Sequence, residues 1–344
     1  MKNKLPRITG TGWHVPAKIR LNDDPIFKWL RENVENIENS FTGYDKRHIL
    51  SEGEGLIDIM YPAAIMALKN AGKKPGDIDI VLGCGSISEY VQPNVLSEVH
   101  KRLGLHKHAW VIPVGDDYSN YASSLLMADA LIRSGRARNV LICIGGNWSR
   151  NVDYHTPQSV SAADGAGAAI VSMSDDPSQW SVFDQCTVTN SSYYGSMFTA
   201  GLKYTFEENG PGVIPPGRSF YGSLTTPNFF QITEEGLKGF IAFGADEALT
   251  PVLDLLKKNN LTAEDVTFMP HQTSEKLIKH WCANLHPPPA QIVSTIEKFA
   301  NVTVATHALN LAWIEENGKI DKDYLLMLAL GPDMHANAML LKRN

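Results

Sequence analysis

The sequence predicts an α/β protein built from two similar halves, and three observations support this. Short apolar runs that suit buried strands alternate with amphipathic segments that suit helices. The succession of a helix, a polar turn and a strand recurs along the chain with nearly the same spacing. The chain has 344 residues, which exceeds the size that one hydrophobic core usually supports, so two domains or one duplicated domain are expected.

Three segments predict central strands because each is a short apolar run bounded by polar residues or glycine. They cover residues 78–82, 140–144 and 324–330. An amphipathic helix is expected over residues 275–284. The Gly- and Pro-rich stretch 209–217 is the best candidate for a loop.

The internal repeat consists of two pairs of helix-turn-strand segments. Its members are residues 67–70 with 77–80, 255–258 with 265–268, 131–135 with 140–144, and 313–318 with 324–330. Any α/β protein offers single pairs of this kind, but two pairs in the same order favour duplication. We expect halves at residues 1–175 and 176–344, with the strand near Ile80 equivalent to that near Phe268. A shared site is expected where the halves meet.

Composition excludes several functional classes. The net charge is −6 and no long basic run occurs, so nucleic acid is not an expected partner. No apolar stretch is long enough to span a membrane. The four cysteines lack metal-ligand spacing and predict reduced thiols in a cytoplasmic protein. Four histidines also lack such spacing and are expected at the surface or in loops: His280, His286, His307 and His335. We expect neither a metal nor a cofactor.

His271 is the first candidate for chemistry. It lies in Met269-Pro270-His271-Gln272, at the end of an apolar run and before the expected helix. A histidine at a strand end can point into a crevice, where it can hydrogen-bond a carbonyl oxygen or move a proton, because its pKa lies near neutrality. A lone histidine is by default structural, so His271 needs support from other motifs.

Several motifs together resemble the 3-oxoacyl-acyl-carrier-protein synthase III family of the thiolase-like superfamily. The matching segments are residues 8–12 (ITGTG), 42–48 (TGYDKRH), 164–169 (DGAGAA), 270–272 (PHQ) and 300–301 (AN). Each is weak alone, but they span the chain in the family's order. The resemblance implies a thiolase-like, five-layered α/β/α/β/α sandwich made of two halves. It also implies a homodimer that acts on an acyl thioester of coenzyme A or of acyl carrier protein.

The family's chemistry uses a cysteine that takes the acyl group, with a histidine and an asparagine that stabilise an enolate formed by decarboxylation. On this chain the resemblance assigns the histidine to His271 and the asparagine to Asn301. Asn301 lies seventeen residues before Gly318, and seventeen residues before Gly135 is Tyr118. The family's cysteine has this same distance to its glycine, so Tyr118 fills the cysteine position.

Tyr118 changes the expected chemistry. A phenol with a pKa near 10 is a poor acyl acceptor unless it is strongly activated. Its neighbour Ser119 could act as a nucleophile with His271 as base, but one residue along a helix start turns a side chain well off axis. Whether Ser119 or no residue is the nucleophile therefore stays open. Asp117 is expected to line the same pocket.

Two further departures from the family concern the backbone N–H groups that would bind an oxyanion and the identity of the acyl donor. The last loop, residues 331–335, replaces a glycine-rich run, so Gly331 alone is carried over as an oxyanion donor while Pro332 lacks an N–H. The position of the family's adenine-stacking tryptophan holds Ile37, and Trp29 is further away. A carrier-protein-bound or free acyl donor is thus as well supported as coenzyme A.

Three functions remain open from the sequence. The first is an acyl-transfer enzyme of specialised, polyketide- or fatty-acid-like metabolism that works without a cysteine acyl-enzyme, by condensation, ester formation, cyclisation or hydrolysis. The second is a non-catalytic subunit paired, as a heterodimer, with a cysteine-bearing homologue. The third is a serine-dependent decarboxylating ketosynthase. Retention of both His271 and Asn301 favours an enzyme over a non-catalytic subunit.

Overall fold

A computed structural model describes residues 4–90, 92–199 and 230–344. The loop expected at residues 209–217 lies outside the described residues. The strands of the first half are β1 (Leu5–His14), β2 (Ile19–Leu21), β3 (Lys46–His48), β4 (Ile80–Ser86), β5 (Trp110–Pro113), β6 (Asn139–Asn147) and β7 (Asp164–Ser174). Its helices are α1 (Lys28–Asn33), α2 (Leu56–Asn70), α3 (Leu96–Leu103) and α4 (Asn120–Arg133).

The second half contains the remaining elements. Its strands are β8 (Ser181–Thr189), β9 (Met197–Thr199), β10 (Phe230–Ile232), β11 (Val266–Pro270), β12 (Gln291–Ile292), β13 (Tyr324–Gly331) and β14 (His335–Lys342). Its helices are α5 (Glu234–Ala245), α6 (Thr250–Lys258), α7 (Glu275–Asn284), α8 (Ile296–Phe299) and α9 (Thr306–Asn317). The helix expected over residues 275–284 is confirmed as α7.

Two five-stranded sheets have the same topology. The first has the order β5-β4-β6-β7-β1 and the second has the order β12-β11-β13-β14-β8. In each sheet the first three strands are parallel and the last two pair antiparallel. The expected equivalence of the strands at Ile80 and Phe268 is confirmed in this topology, because both occupy the second position. The division at residues 175 and 176 stays a prediction, and it falls in the connection from β7 to β8.

The layers follow from which helix faces are apolar. α2 and α3 pack on the outer face of the first sheet, and α5, α6 and α7 pack on the outer face of the second. α4 and α9 lie between the sheets in a core that includes side chains from both. The seven residues Thr306–Ala312 of α9 are all buried, as expected for a helix that is enclosed on every side. The fold is therefore the expected five-layered thiolase-like sandwich.

Glycines in β7 allow the central helix to approach the first sheet. A Cβ placed on Gly167 would lie 2.3 Å from the backbone of Ala308 in α9. No side chain fits at that distance, so the glycine in the segment 164–169 has a packing role. This close approach brings the start of α9, and Asn301 just before it, beside the start of α4.

Candidate active site

The candidate site lies where the two halves meet. It combines the start of α4 from the first half with the end of β11 and the β13–β14 hairpin from the second. A short 3₁₀ turn, Asp117–Ser119, precedes α4 and packs against β13. The structure thus brings these elements of the two halves together, and that they form a functional site stays a prediction.

The turn before α4 is sharp and held by local hydrogen bonds. Asp117 has a φ of 38°, a left-handed conformation that non-glycine residues rarely adopt. The backbone N–H of Ser119 donates to the carbonyl of Asp116 at 2.9 Å. The side-chain amide of Asn120 donates to the carbonyl of Val114. These contacts fix the directions in which Tyr118 and Ser119 leave the backbone.

Tyr118 stacks on His271. The two ring centroids are 5.1 Å apart and the ring planes are 13° from parallel. His271 is fully buried, and neither ring nitrogen has a hydrogen-bond partner among the described residues. Burial, together with the neighbouring His307, lowers the pKa of His271 to about 3. The imidazole is therefore neutral near pH 7 and has one N–H free to donate.

The phenol of Tyr118 is also held in its neutral form. Burial, and then the charge of Asp117, raise the pKa of Tyr118 well above its usual value. Asp117 has a raised pKa as well, because of desolvation and repulsion from Asp333. Tyr118, which the sequence assigns to the cysteine position, is therefore not a nucleophilic phenolate near pH 7.

Ser119 points to a different histidine. Its Oγ lies 2.6 Å from Nε2 of His335, and Nδ1 of His335 contacts the carboxylate of Asp333. Ser119 is fully buried and His335 is 7% exposed. When the imidazole is neutral, Nδ1 carries the proton, because the carboxylate of Asp333 accepts a hydrogen bond, and Nε2 accepts from the serine hydroxyl. Serine, histidine and aspartate are thus connected in one chain of hydrogen bonds.

The charges around His335 favour its protonated form. Burial alone would lower its pKa, but the hydrogen bond and charge of Asp333, followed by the charges of Asp116 and Asp117, raise the pKa above the ordinary value. Nε2 of His335 lies 3.8 Å from the carboxylate of Asp116. Conversely, the His335 hydrogen bond lowers the pKa of Asp333. An imidazolium formed at this position would be stabilised by all three carboxylates.

Asn301 lies just before α9 and is 7% exposed. Its side-chain oxygen accepts the backbone N–H of Thr303 at 2.9 Å, and its backbone N–H donates to the carbonyl of Ser161. Thr303 is part of a turn that packs against the turn holding Tyr118. The structure thus brings Asn301 to the same side of α4 as Tyr118.

Gly331 ends β13 and pairs with His335 across the hairpin. A Cβ at this position would lie 2.2 Å from the imidazole ring of His335. Glycine is therefore required for the histidine to lie over the hairpin. Its role as an oxyanion donor stays a prediction.

The four cysteines lie elsewhere in the fold. Cys84 and Cys143 are in β4 and β6, Cys186 is in β8, and Cys282 is in α7. Cys84 lies close enough to the site for its pKa to depend on the charge of Asp117. Burial, and then this charge, raise the pKa of Cys84 to about 12. Its sulfur therefore stays a protonated thiol, which is a weak nucleophile.

The structure corrects two interpretations made from the sequence. The surface or loop position expected for His335 and His307 is wrong, because both are buried, His307 within α9. His280 and His286 are exposed, as expected. The pairing of Ser119 with His271 is also wrong, since the serine bonds His335. The signal that could have found it was Asp333-Met334-His335 in the last loop.

Within the described residues, no group of three or more histidine, cysteine or acidic side chains is arranged to hold a metal ion. Every described helix is too short or too polar to cross a bilayer.

The fold, with a site where its two halves meet, defines a thiolase-like acyl-condensing class. Family descriptions agree, since 3-oxoacyl-(acyl-carrier-protein) synthase III matches residues 119–190 and its C-terminal part matches residues 256–343. A beta-ketoacyl-(acyl-carrier-protein) synthase III of Rickettsia bellii is 27% identical over 342 residues, covering 98% of this chain and 99% of that protein. The two family descriptions and this relative together support the assignment of the chain to the 3-oxoacyl-(acyl-carrier-protein) synthase III family.

Solved structures show the same fold. A 3-oxoacyl-(acyl-carrier-protein) synthase III from Aquifex aeolicus has a TM-score of 0.79 at 22% identity, covering 98% of this chain and 99% of that one. A priming β-ketosynthase from the R1128 polyketide biosynthetic pathway has a TM-score of 0.81 at 21% identity, covering 99% and 97%.

Proposed function

We propose that this chain is an acyltransferase that takes an acyl group from a thioester and transfers it without a cysteine acyl-enzyme and without decarboxylation. The observation that carries the proposal is the stack of Tyr118 on His271. By its spacing Tyr118 fills the position of the family's cysteine, and its ring covers one face of the histidine that would act beside that cysteine.

Tyr118 supports this proposal through its pKa. A phenol must lose its proton to attack a thioester effectively, and burial with Asp117 nearby opposes that loss. The ring therefore serves as a wall of the acyl pocket. An acyl group cannot be held here in the way a thiolate would hold it.

The arrangement of His271 and Asn301 argues against decarboxylation. Stabilising an enolate requires both side chains to donate to one thioester oxygen. The stacked ring of Tyr118 occupies the space beside His271 where an acyl-cysteine would lie, and the side-chain oxygen of Asn301 is held by the backbone N–H of Thr303. We propose that His271 keeps only a binding role, in which its free N–H donates to the acyl carbonyl. Two unpartnered nitrogens on a fully buried ring support such a role.

The donor and the assembly are proposed from the family. The donor is an acyl thioester of coenzyme A or of acyl carrier protein, the working unit is a homodimer in the cytoplasm, and the pathway is fatty-acid- or polyketide-like. Trp29 is 41% exposed and packs edge-to-face on His155, so an exposed aromatic surface is present near the N-terminus.

The proposal is tested by following two products in one reaction. Purified protein is incubated with acetyl-, hexanoyl- and dodecanoyl-coenzyme A, with and without malonyl-coenzyme A, and both free thiol and released carbon dioxide are measured. Thiol release from acyl donors without carbon dioxide release from malonyl-coenzyme A is expected. Carbon dioxide formation that depends on His271 would identify a decarboxylating ketosynthase instead, and no thiol release from any donor would contradict acyl transfer.

A further inference from the structure

The chain of hydrogen bonds that runs from buried Ser119 through buried His335 to the half-exposed Asp333 has no role in the family chemistry of cysteine, histidine and asparagine. We propose that these three residues form a second catalytic relay, in which Ser119 carries the acyl group as an ester and His335 is its base. This inference rests on the proposed acyl-transfer function and names the nucleophile of the same site.

Geometry gives each group the role that a serine relay requires. The serine Oγ is 2.6 Å from Nε2 of His335, within the range for proton transfer. The carboxylate of Asp333 accepts from Nδ1 on the other side of the ring. This contact fixes the tautomer in which Nε2 faces the hydroxyl with a free lone pair. No change of side-chain position is needed before the first proton moves.

The position of Ser119 on the backbone also suits a nucleophile. It follows β5 and a turn with a left-handed residue, Asp117, and it directly precedes α4. A strand, a sharp turn and a helix is the setting in which an exposed or pocket-facing serine acts in other acyl-transfer folds. α4 has 14 residues, and the positive end of its dipole favours negative charge that develops at the serine.

Another serine on α4 provides an internal comparison. Ser124 is as fully buried as Ser119, yet its Oγ contacts only the side-chain oxygen of Asn120, at 3.4 Å, among the described residues. A buried serine on this helix therefore does not need a histidine partner for packing, and the contact of Ser119 with His335 calls for a separate reason.

The proposed reaction has two balanced steps. In the first, the Oγ of Ser119 attacks the thioester carbonyl and His335 takes the hydroxyl proton. The carbon–sulfur bond then breaks, the thiol leaves with that proton, and an ester of Ser119 remains. In the second, a hydroxyl, amine or water attacks the ester while His335 takes its proton. The acyl–acceptor bond forms, the bond to Oγ breaks, and the proton returns to Ser119.

The test uses a reagent that reacts covalently with an activated serine, so the result does not depend on turnover of a substrate. An alkyl fluorophosphonate forms a bond between phosphorus and an activated serine oxygen with loss of fluoride. We expect intact-mass spectrometry to show one adduct on the native protein, which peptide mapping places on Ser119. Ser124→Ala is the matched control and is expected to be labelled at the native rate.

Two variants define what would overturn the proposal. Ser119→Ala is expected to give no adduct, and Ser119→Cys, which keeps the shape of the site if alanine does not fold, is expected to accept an acyl group from acyl-coenzyme A as a thioester. Acyl turnover that persists at the native rate in Ser119→Ala, or an unlabelled native Ser119 in protein that turns over acyl-coenzyme A, would overturn the relay while leaving the proposed acyl transfer intact. Labelling of Ser119 in protein without turnover would support the relay and contradict the proposed function.

Asp333 acts through His335 and is tested by the pH dependence of labelling. The carboxylates that face His335 are Asp333 on its own hairpin and Asp116 and Asp117 before α4. Labelling requires neutral His335, so its rate rises with pH. Asp333→Asn is expected to slow labelling by about 10²- to 10⁴-fold and to move the midpoint to lower pH. An unchanged rate and midpoint would show that Asp333 does not act on the histidine.

Discussion

Tyr118 and His271 lie face to face, with ring centroids 5.1 Å apart and planes 13° from parallel. One residue further along, Ser119 contacts His335 instead. The two histidines lie on either side of β13, at the end of β11 and at the start of β14. Two adjacent residues at the start of α4 thus contact two different histidines. Tyr118 contacts His271, which is neutral, and Ser119 contacts His335, whose pKa is raised.

The ring of Tyr118 is expected to matter more than its hydroxyl. Tyr118→Phe keeps the stack and should retain more than about a tenth of the thiol-release rate, since one neutral hydrogen bond from the hydroxyl to a substrate would contribute only about 1 kcal/mol. Tyr118→Ala removes the ring and should lower the free energy of unfolding by about 3 kcal/mol, measured by urea denaturation. Complete loss of turnover in a folded Tyr118→Phe protein would instead make the hydroxyl catalytic.

A thiol placed at residue 118, the position that we propose corresponds to the family's cysteine, should be reactive. Tyr118→Cys uncovers His271 at the start of α4, where the helix dipole lowers a thiol pKa. Iodoacetamide should therefore alkylate the introduced thiol faster than any native cysteine, as measured by peptide mass spectrometry over time. The native protein is the control and should keep its activity, because the pKa of Cys84 is raised to about 12. Inactivation of the native protein with alkylation of Cys84 would show a cysteine-based mechanism.

The proposed binding role of His271 predicts a loss of rate without a change in pH profile. His271→Phe keeps an aromatic ring under Tyr118 but removes the N–H, so thiol release should fall by about 10²- to 10³-fold. The midpoint of the pH–rate profile should not move, because His271, with a pKa of about 3, stays neutral across the working range. A shifted midpoint in this variant would make His271, and not His335, the base.

Buried neutral histidines should make the fold sensitive to acid. The pKa of His307 is lowered to about 4, by burial first, whereas an unfolded histidine titrates near 6.5. Below about pH 6.5 the unfolded chain binds the proton and the folded chain does not, so stability falls as pH falls toward about 4. At about pH 5 this one histidine costs about 2 kcal/mol relative to neutral pH.

The acid effect is measured by urea denaturation at about pH 7.5 and pH 5. His307→Gln keeps a donor toward the carbonyl of Leu328, which His307 contacts at 3.1 Å, but cannot titrate. The loss of stability between the two pH values should be about 2 kcal/mol smaller in this variant than in the native protein. An equal loss in both proteins would show that His307 is not the acid-sensitive group.

Sequence patterns predicted most of the fold because the repeat and the apolar runs are local features. β6 and β13 each contain an unbroken apolar run, at residues 140–144 and 325–330, and occupy equivalent positions, so their place in two equivalent sheets could be inferred. The seventeen-residue spacing placed Tyr118 at the start of α4, where the structure has it, because the spacing counts back over the helix from the glycine that follows it and α4 and α9 differ by only two residues in length. The resemblance to the family then supplied the layered architecture.

The sequence could not show which histidine meets Ser119. His335 and Ser119 are 216 residues apart, and their contact depends on how the β13–β14 hairpin lies over α4. From the sequence, the departure of residues 331–335 from a glycine-rich run indicates only that Pro332 lacks the N–H of an oxyanion donor. The structure shows that this loop supplies Asp333 and His335, which are hydrogen-bonded to each other and, through His335, to Ser119. The residues of the proposed relay thus lie where the sequence departs from the family pattern.

The proposal that Ser119 carries the acyl group is tested most directly by locating the acylated residue during turnover. The protein is quenched in acid within seconds of mixing with dodecanoyl-coenzyme A, digested and mapped by mass spectrometry. We predict a dodecanoyl ester on Ser119 in the native protein, none on Tyr118 or any cysteine, and none at residue 119 in Ser119→Ala. A dodecanoyl group on a native cysteine, or turnover with no acylated Ser119 at any time point, would contradict the account.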